Sequence, residues 1–459
     1  MKIVVCVKPV KDELNPFDES ALECALQMKN AEITVLSMGV PSTVNILKRL
    51  TRLDVEKTVL LTDNAFAGAD TLATAYTLSL AIKKLAPDMV VCGRQSIDGD
   101  TAQTGPCLAQ MLGMPVITNV LEITGMDEKI ECVTRQGTET AGLPVLITVE
   151  KIGVLRFPSI RSKVKEVELW NACDINADTD KCGSKGSPTK VIKTYTCNTG
   201  QRKCEFISPD ELMDVIEKER NRPRTDMIPE KMDAKLENVW VIGGGLGEIA
   251  SHIARDVTVI EKCLPEEIAA LAQMHKPEII LWPGDLWGRR NAPVTAAILQ
   301  TGLCADCTHL ETDGENFYMY RPAFGGNLMA KIRCDTRPQM ATVRIVQNAE
   351  NEIIVSGGKG VKNDISLLKA FAKSIGASVG ASRGLVDMEL APYETQIGLT
   401  GKSVSPKIYI ALGISGAVHH TCAIETANVI IAVNPDKNAR IFSYADYGIL
   451  GKFNRNIVI

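Results

Sequence analysis

The chain predicts an α/β fold assembled from open parallel sheets, on three observations. Over residues 1–165, short Val- and Ile-rich runs alternate with segments of helical periodicity, as strands joined by crossover helices do. The opening MKIVVCVKPV is an apolar run that reads as a buried parallel strand. The length, 459 residues at 45% hydrophobic content, allows several cores, about two to four domains.

Composition narrows the class. A net charge of −4 with no basic block argues against a nucleic-acid partner. The first ten residues are too short for a signal sequence and lack a small-residue cleavage site. No apolar stretch reaches the ~18 residues of a membrane helix, so no membrane insertion is expected. Fourteen scattered cysteines suit a reducing cytoplasm. Cys304 and Cys307 have C-x-x-C spacing, but no second pair accompanies them, so no metal site is expected.

Taken in order, the strand candidates are Lys2–Val7, Ile33–Met38, Lys57–Thr62 and Met89–Cys92. Helical periodicity marks Ser20–Lys29, Thr43–Arg52 and Asp70–Lys84, the last with Asp70 as N-cap and a Leu72, Tyr76, Leu80 stripe. In such sheets ligands bind beyond the carboxyl ends of strands. Two loops suit that place. AFAGADTLATA follows the third strand and contributes Asp70, Thr71 and Thr74. GRQSIDGDTAQTG follows the fourth, with Gly93, Gln95, Asp98, Gly99, Asp100, Thr101, Gln103, Thr104 and Gly105. Glycine lets a ligand approach the backbone, and the hydroxyls and amides can hold ribose or phosphate.

Residues 196–235 read as a connector. ISPDELMDVIEKERNR is a capped helix with Ser208 at the N-cap and Glu211 three residues on, and PRTDMIPEKMDAK is a charged tether. GGGLGEIA after Val239–Ile242 approximates a dinucleotide fingerprint, but its third glycine, Gly247, falls one residue early. No ribose-binding acid follows within a proper β-α-β unit, the nearest candidate being Glu261 after Val257–Ile260, and a plain strand and glycine turn is preferred. Arg289, Arg290, Arg321 and Arg337 are open between phosphate contacts and structural pairing. Near the end, KIYIAL reads as a buried strand, and GISGA turns into a helix start that offers backbone N–H groups and the Ser415 hydroxyl to a phosphate. Gly398 and Gly401 bracket Thr400 just upstream.

These motifs resemble the electron transfer flavoprotein family, in both of its subunits. NPFDESALE, ADTLATA, GRQSIDGDTAQTG and KGSPTKV are similar to the beta subunit, and LPVLITVEKIGVLRFPSIRSKVK more loosely so. PGDLWGRRNAPVTAAILQTGLCADCTHL, RPAFGGNLMAKI, RPQMATVR, VSGGKGVKND, ASRGLVD, the Thr400 loop and GISGAVHH are similar to the alpha subunit, in its order. The resemblance implies two Rossmann-like open parallel-sheet domains plus a smaller α/β FAD-binding domain. The boundaries are 1–195, a linker at 196–235, 236–344 and 345–459, with a hinge near Arg344. Fusing two subunits makes their association intramolecular.

The same resemblance implies an electron carrier that serves acyl-CoA dehydrogenase-type flavoproteins through FAD in the C-terminal domain. Arg383 matches the cation over the flavin, Thr400 the hydroxyl near N5 and His420 the histidine near O2. Ser382, Gly401, Ser415 and Gly416 match the phosphate and ribityl surroundings, and Asn434 and Asp446 the ribityl and adenosine side. The second nucleotide, in the N-terminal domain, is FAD in bifurcating members and AMP in simple carriers. DGDTAQTGP favours the former through Gly99, Thr101 and Pro106. The alternatives are an NADH-oxidising flavoenzyme in its own right and a simple carrier with one FAD and one AMP. Leu399 departs from the family's second glutamine, Lys452 from an aspartate, and the segment before NPFD is shortened.

Overall fold

A computed structural model describes residues 1–196, 202–222, 235–323, 328–344, 346–347 and 352–455. Two compact units are formed, one from 1–194, 232–324 and 330–343, the other from 195–231, 325–329 and 344–459.

In the first unit, β1 (Lys2–Cys6), β2 (Glu32–Met38), β3 (Lys57–Leu61) and β4 (Met89–Gly93) alternate with helices. These are α1 (Pro16–Leu26), α2 (Val44–Leu50), α3 (Thr71–Leu85) and α4 (Thr104–Leu112). Then come β5 (Val116–Met126), β6 (Lys129–Thr134), β7 (Gly137–Gly142), β8 (Val145–Val149) and β9 (Glu168–Trp170). They make one nine-stranded sheet in the order β9-β3-β2-β1-β4-β8-β5-β6-β7. Only the β5–β6 and β6–β7 pairs are antiparallel. β3, β4 and β8 are apolar along nearly their whole length because helices or chain cover both faces. β2 and β3 lie to one side of β1 and β4 to the other, so the winding reverses between β1 and β4. The shortened segment before α1 holds a ladder of two residues a side, Pro9–Val10 against Glu13–Leu14.

A second parallel sheet contains β10 (Leu236–Ile242), β11 (Ala254–Ile260), β12 (Ile279–Pro283), β13 (Leu303–Cys307) and β14 (Gln339–Val343), in the order β11-β10-β12-β14-β13. Its helices are α5 (Gly247–Ile253), α6 (Pro265–His275) and α7 (Leu286–Leu299). β10, α5 and β11 form a parallel β-α-β unit around the GGGLG turn. That turn is nonetheless filled by protein. Lys262 packs over Gly243 and pairs with Asp285 at 2.8 Å.

α4 and α7 meet within this unit. The Cys107 thiol donates to the Pro293 carbonyl at 3.6 Å, and Ala297 joins the apolar cluster around α3 and α4. Arg290 donates to Glu139 and to the Val116 carbonyl, both at 2.6 Å.

The second unit has one six-stranded sheet. Its strands are β15 (Ile353–Gly357), β16 (Ser378–Ala381), β17 (Ile408–Leu412), β18 (Val429–Asn434) and β19 (Tyr447–Leu450), with Glu205–Phe206 at the edge. The order is Glu205–Phe206, β19, β18, β17, β15, β16, all parallel. α8 (Ile365–Ser374), α9 (Arg383–Val386) and α10 (Val418–Thr421) connect them. The reversal falls between β15 and β17. The expected connector does more than connect. Helix Leu212–Arg220 places Leu212, Val215 and Ile216 in this unit's core, and Arg202 donates to the carbonyls of Ala427 (2.6 Å) and Asn428 (3.1 Å). The Ser208–Glu211 cap is present, the carboxylate accepting from the Ser208 N–H at 2.7 Å. The tether 223–234 lies outside the described residues.

Candidate nucleotide-binding sites

Each unit's sheet has a reversal point, and ligands of such sheets bind beside it at the carboxyl ends of strands. In the first unit a cavity of about 840 Å³ lies there, within the range of small-molecule sites. Its wall includes Cys6 and Lys8 after β1, Gly39 and Val40 after β2, Thr62 and Asp63 after β3, and Gly93 and Arg94 after β4. Thr71, Thr74, Gln95, Thr101 and Thr104 also face it, as expected.

The loop ahead of α4 is built for an anion. Asp100 (φ 51°) and Ala102 (φ 55°) are both left-handed although neither is glycine. Such residues cost about 1–3 kcal/mol each and persist where the fold dictates them. Alternation of this kind turns successive N–H groups toward one concavity. α4 then begins at Thr104, adding its N-terminal N–H groups. A side chain at Gly105 would stand 2.4 Å from Thr148 Cγ2, so glycine lets α4 press onto the sheet.

Four acidic or amide candidates take other roles. Asp98 pairs with Lys8 at 2.7 Å and accepts from the Gly99 N–H, off the cavity wall. Asp100 accepts from Gln95 Nε2 at 3.0 Å and Gln103 is buried, neither on the wall. Asp70 lines the cavity, but one carboxylate oxygen caps α3 through the Ala73 N–H (3.1 Å). The other accepts from the Thr189 N–H and hydroxyl (3.0 and 2.6 Å). Three of the carboxylate's hydrogen bonds are thus made within the fold.

One wall residue, Asp18, is not singled out by motif, and another, Arg321, is among the four arginines left open. Asp18, within NPFDESALE, is buried beside Gly93, accepts from the Lys8 N–H at 2.7 Å, and burial pushes its carboxyl up to about 7. Arg321 is 5% exposed, and its Nε and Nη2 find no hydrogen-bond partner among the described residues. Arg94, also on the wall, is neutralised by Glu150 at 3.1 Å. The other three arginines left open are structural: Arg289 pairs with Asp306 (3.1 Å), Arg290 with Glu139, and Arg337 with Glu278 (3.2 Å). A buried guanidinium with orphaned donors fits an anionic or acceptor-rich ligand.

In the second unit the segments at the reversal are Gly358 after β15, Ser382–Arg383 opening α9, the 396–401 loop, and Gly413–Ala417 after β17. Ser415 is exposed, and a side chain at Gly416 (φ 83°) would place its Cβ 2.1 Å from the Ile441 nitrogen, so only glycine fits against Arg440–Ile441. Arg383 is partly exposed and pairs with Asp387 one turn on, at 3.4 Å. Thr400 Oγ1 accepts from Gln396 Nε2 at 2.8 Å, and Gln396 Oε1 has no partner among the described residues. Gly401, at the end of that loop, packs against the Gln396 carbonyl.

Three expected roles are recast by partners. His420 is 6% exposed, with Nδ1 3.0 Å from the Ile397 carbonyl and Nε2 2.8 Å from the Tyr409 hydroxyl. Burial brings its pKa down to about 4, so the ring is neutral and both nitrogens are engaged. Asn434 donates to the Ile414 carbonyl and accepts from the Asp436 N–H, both at 2.9 Å. Asp446 accepts from the Ile430 N–H at 2.8 Å and pairs with Arg202. Both hold backbone in place in this structure.

The parallel sheets and the cavity at the first unit's reversal define an α/β protein with a site of small-molecule size. Comparison with known families is specific. Residues 3–175 and 261–363 match the electron transfer flavoprotein domain, and 348–425 match the electron transfer flavoprotein FAD-binding domain. Electron transfer flavoprotein subunit beta of Clostridium acetobutylicum is 42% identical over 228 residues, covering 43% of this chain and 88% of that protein. Subunit alpha of Thermoanaerobacterium thermosaccharolyticum is 40% identical over 230 residues, 40% of this chain and 70% of that one. Protein FixB of Clostridium saccharobutylicum is 37% identical over 282 residues, 49% of this chain and 84% of its own. The chain belongs to the electron transfer flavoprotein family, with beta-like and alpha-like halves in one polypeptide.

Proposed function

We propose that this protein carries electrons between an acyl-CoA dehydrogenase-type flavoprotein and a second redox partner, as a bifurcating type holding two FAD. One FAD occupies the second unit's crevice and the other the first unit's cavity. Residues 1–195 then form the beta-like nucleotide domain, 236–344 the alpha-like N-terminal domain and 345–459 the FAD-binding domain, joined through 196–235. The observation that carries the two-flavin reading is the 840 Å³ cavity with the orphaned Arg321 guanidinium on its wall. Gly99 adds to it by leaving no side chain or charge at its position beside the Asp98 carboxylate. NADH is the reductant this reading assigns to the second site.

Bound FAD supplies reversible uptake of one electron or a hydride. What the chain supplies is electrostatic. Arg383 brings a cation to a ring that gains negative charge on reduction. The Thr400 oxygen is occupied by the Gln396 amide, which leaves its proton free to donate toward the ring. The backbone cradles neutralise the pyrophosphates. Reduced thiols throughout the described chain suit a cytoplasmic setting.

Acid extraction and chromatography of bound nucleotides test this. Two FAD per chain is the expected result, with bleaching by NADH. One FAD with one AMP, and no bleaching, would return the protein to the simple carriers.

A further inference from the structure

The imidazole of His420 sits at the start of α10, in the crevice that the flavin reading assigns to FAD. Its two hydrogen bonds determine its protonation by elimination. The Ile397 carbonyl can only accept, so Nδ1, 3.0 Å away, carries a hydrogen and donates. In a neutral ring Nε2 is then an acceptor, and the Tyr409 hydroxyl 2.8 Å away is its donor. Tyr409 lies in the middle of β17 and is fully buried, so no water competes for that proton. Leu399 donates its N–H to the His419 carbonyl at 2.6 Å, which clamps the 396–401 loop against the helix that bears the imidazole.

We infer that Tyr409 is a positioning residue, whose hydroxyl locks His420 as the neutral Nδ1–H tautomer and denies the reduced flavin a second cation. The inference rests on reading this crevice as the FAD site. The groups that face the ring support it. From β17 comes the Tyr409 hydroxyl, from the loop the Ile397 carbonyl, and the neighbouring His419 is exposed. Burial, which lowers the pKa, and the Ile397 hydrogen bond, which raises it, are the influences on His420; among the described residues no charged side chain acts on it. Tyr409 is held protonated by its own burial, so the pair has no charged form near neutral pH. Removing the hydroxyl withdraws the hydrogen bond that favours the neutral ring, so the pKa of His420 rises toward its ordinary value.

The test is ring-nitrogen NMR of His420, assigned against His420→Gln, in wild type and Tyr409→Phe, together with flavin potentials measured against pH. The wild-type ring should show the Nδ1–H pattern unchanged over about pH 5 to 8. In Tyr409→Phe its pKa should rise by about one unit or more. The first-electron potential of that variant should then turn more positive on the acid side, with a break the wild type lacks. A wild-type ring that is Nε2–H, or that titrates at its ordinary value, overturns the inference even if the variant fails to fold. So does a variant with tautomer, titration and potential all unchanged. Wild-type protein that binds no FAD would sink the flavin reading alone, because the ring shifts still decide the tautomer.

Discussion

Gln396 Nε2 donates to Thr400 Oγ1 at 2.8 Å inside a buried loop, and this one bond decides where the threonine proton points. With its oxygen accepting from the amide, the hydroxyl is left to donate outward. Gln396→Leu removes that constraint, so the first-electron potential of the bound flavin should fall by tens of millivolts, on the order of one hydrogen bond. Thr400→Ala should produce a similar fall, and the double variant little more, since both act through one proton. Additive losses in potentiometric titration would show that the two residues act separately.

Arg383 shares its charge with Asp387, 3.4 Å away on the same helical turn. Arg383→Ala should lower the first-electron potential by roughly 40–130 mV, the equivalent of about 1–3 kcal/mol for one charge contact. Asp387→Asn should move it the other way, because the guanidinium is then uncompensated. If neither variant moves the potential while FAD stays bound, Arg383 is a helix pair and nothing more.

Much of the architecture was legible because parallel strands advertise themselves. KTVLL, MVVCG and IYIAL are short apolar runs between turn residues, and each forms a strand within about one residue of expectation. The glycine loops at the sheet reversals were legible for a related reason: only certain residues tolerate such backbone. What the residues could not disclose is which polar atoms are already engaged. Asn434 and Asp446 fit family positions, yet their partners Ile414, Asp436, Ile430 and Arg202 become neighbours only through the fold. The four open arginines looked alike in sequence. Arg290 is bound to Glu139, 151 positions away, while Arg321 keeps orphaned donors. The connector was misjudged for the same reason, since its core partners lie beyond residue 352.

The loop after β8 exposes apolar side chains that the fold does not use. Phe157 is 96% and Ile160 98% exposed, and Val154 stands nearby at 87%. If the proposed dehydrogenase partner docks on apolar surface, this loop is where the contact is expected. Phe157→Ser and Ile160→Ser should raise KM for the dehydrogenase partner about tenfold or more, within the range of interface anchors. Flavin content and potential should not change. Unaltered KM in both variants would move the docking surface elsewhere.

His420 also predicts how stability varies with pH. Its folded pKa, about 4, lies below the usual 6.5, so the unfolded chain takes up the proton first as pH falls. The neutral ring therefore contributes fully above 6.5, and that contribution is lost as pH falls from 6.5 toward 4, by about 3 kcal/mol at most. Denaturant midpoints of wild type and His420→Gln should converge on acidification across this window. Parallel curves would mean the ring is not held neutral.

Arg321 offers the sharpest separation between the two crevices, because it stands on the wall of one and plays no part in the other. A buried guanidinium with orphaned Nε and Nη2 is costly unless a ligand satisfies it. Each charge-assisted bond to the ligand adds about 1.5–3 kcal/mol, so losing one weakens binding by roughly 10- to 100-fold. Arg321→Ala should purify with the C-terminal FAD intact and the N-terminal nucleotide depleted. Arg321→Lys should recover part of it, since a point charge cannot reproduce the planar fork. Extraction of nucleotides from the three proteins reads this directly. Equal loss at both sites would indicate a folding defect, and full retention at both would show that the guanidinium faces nothing bound.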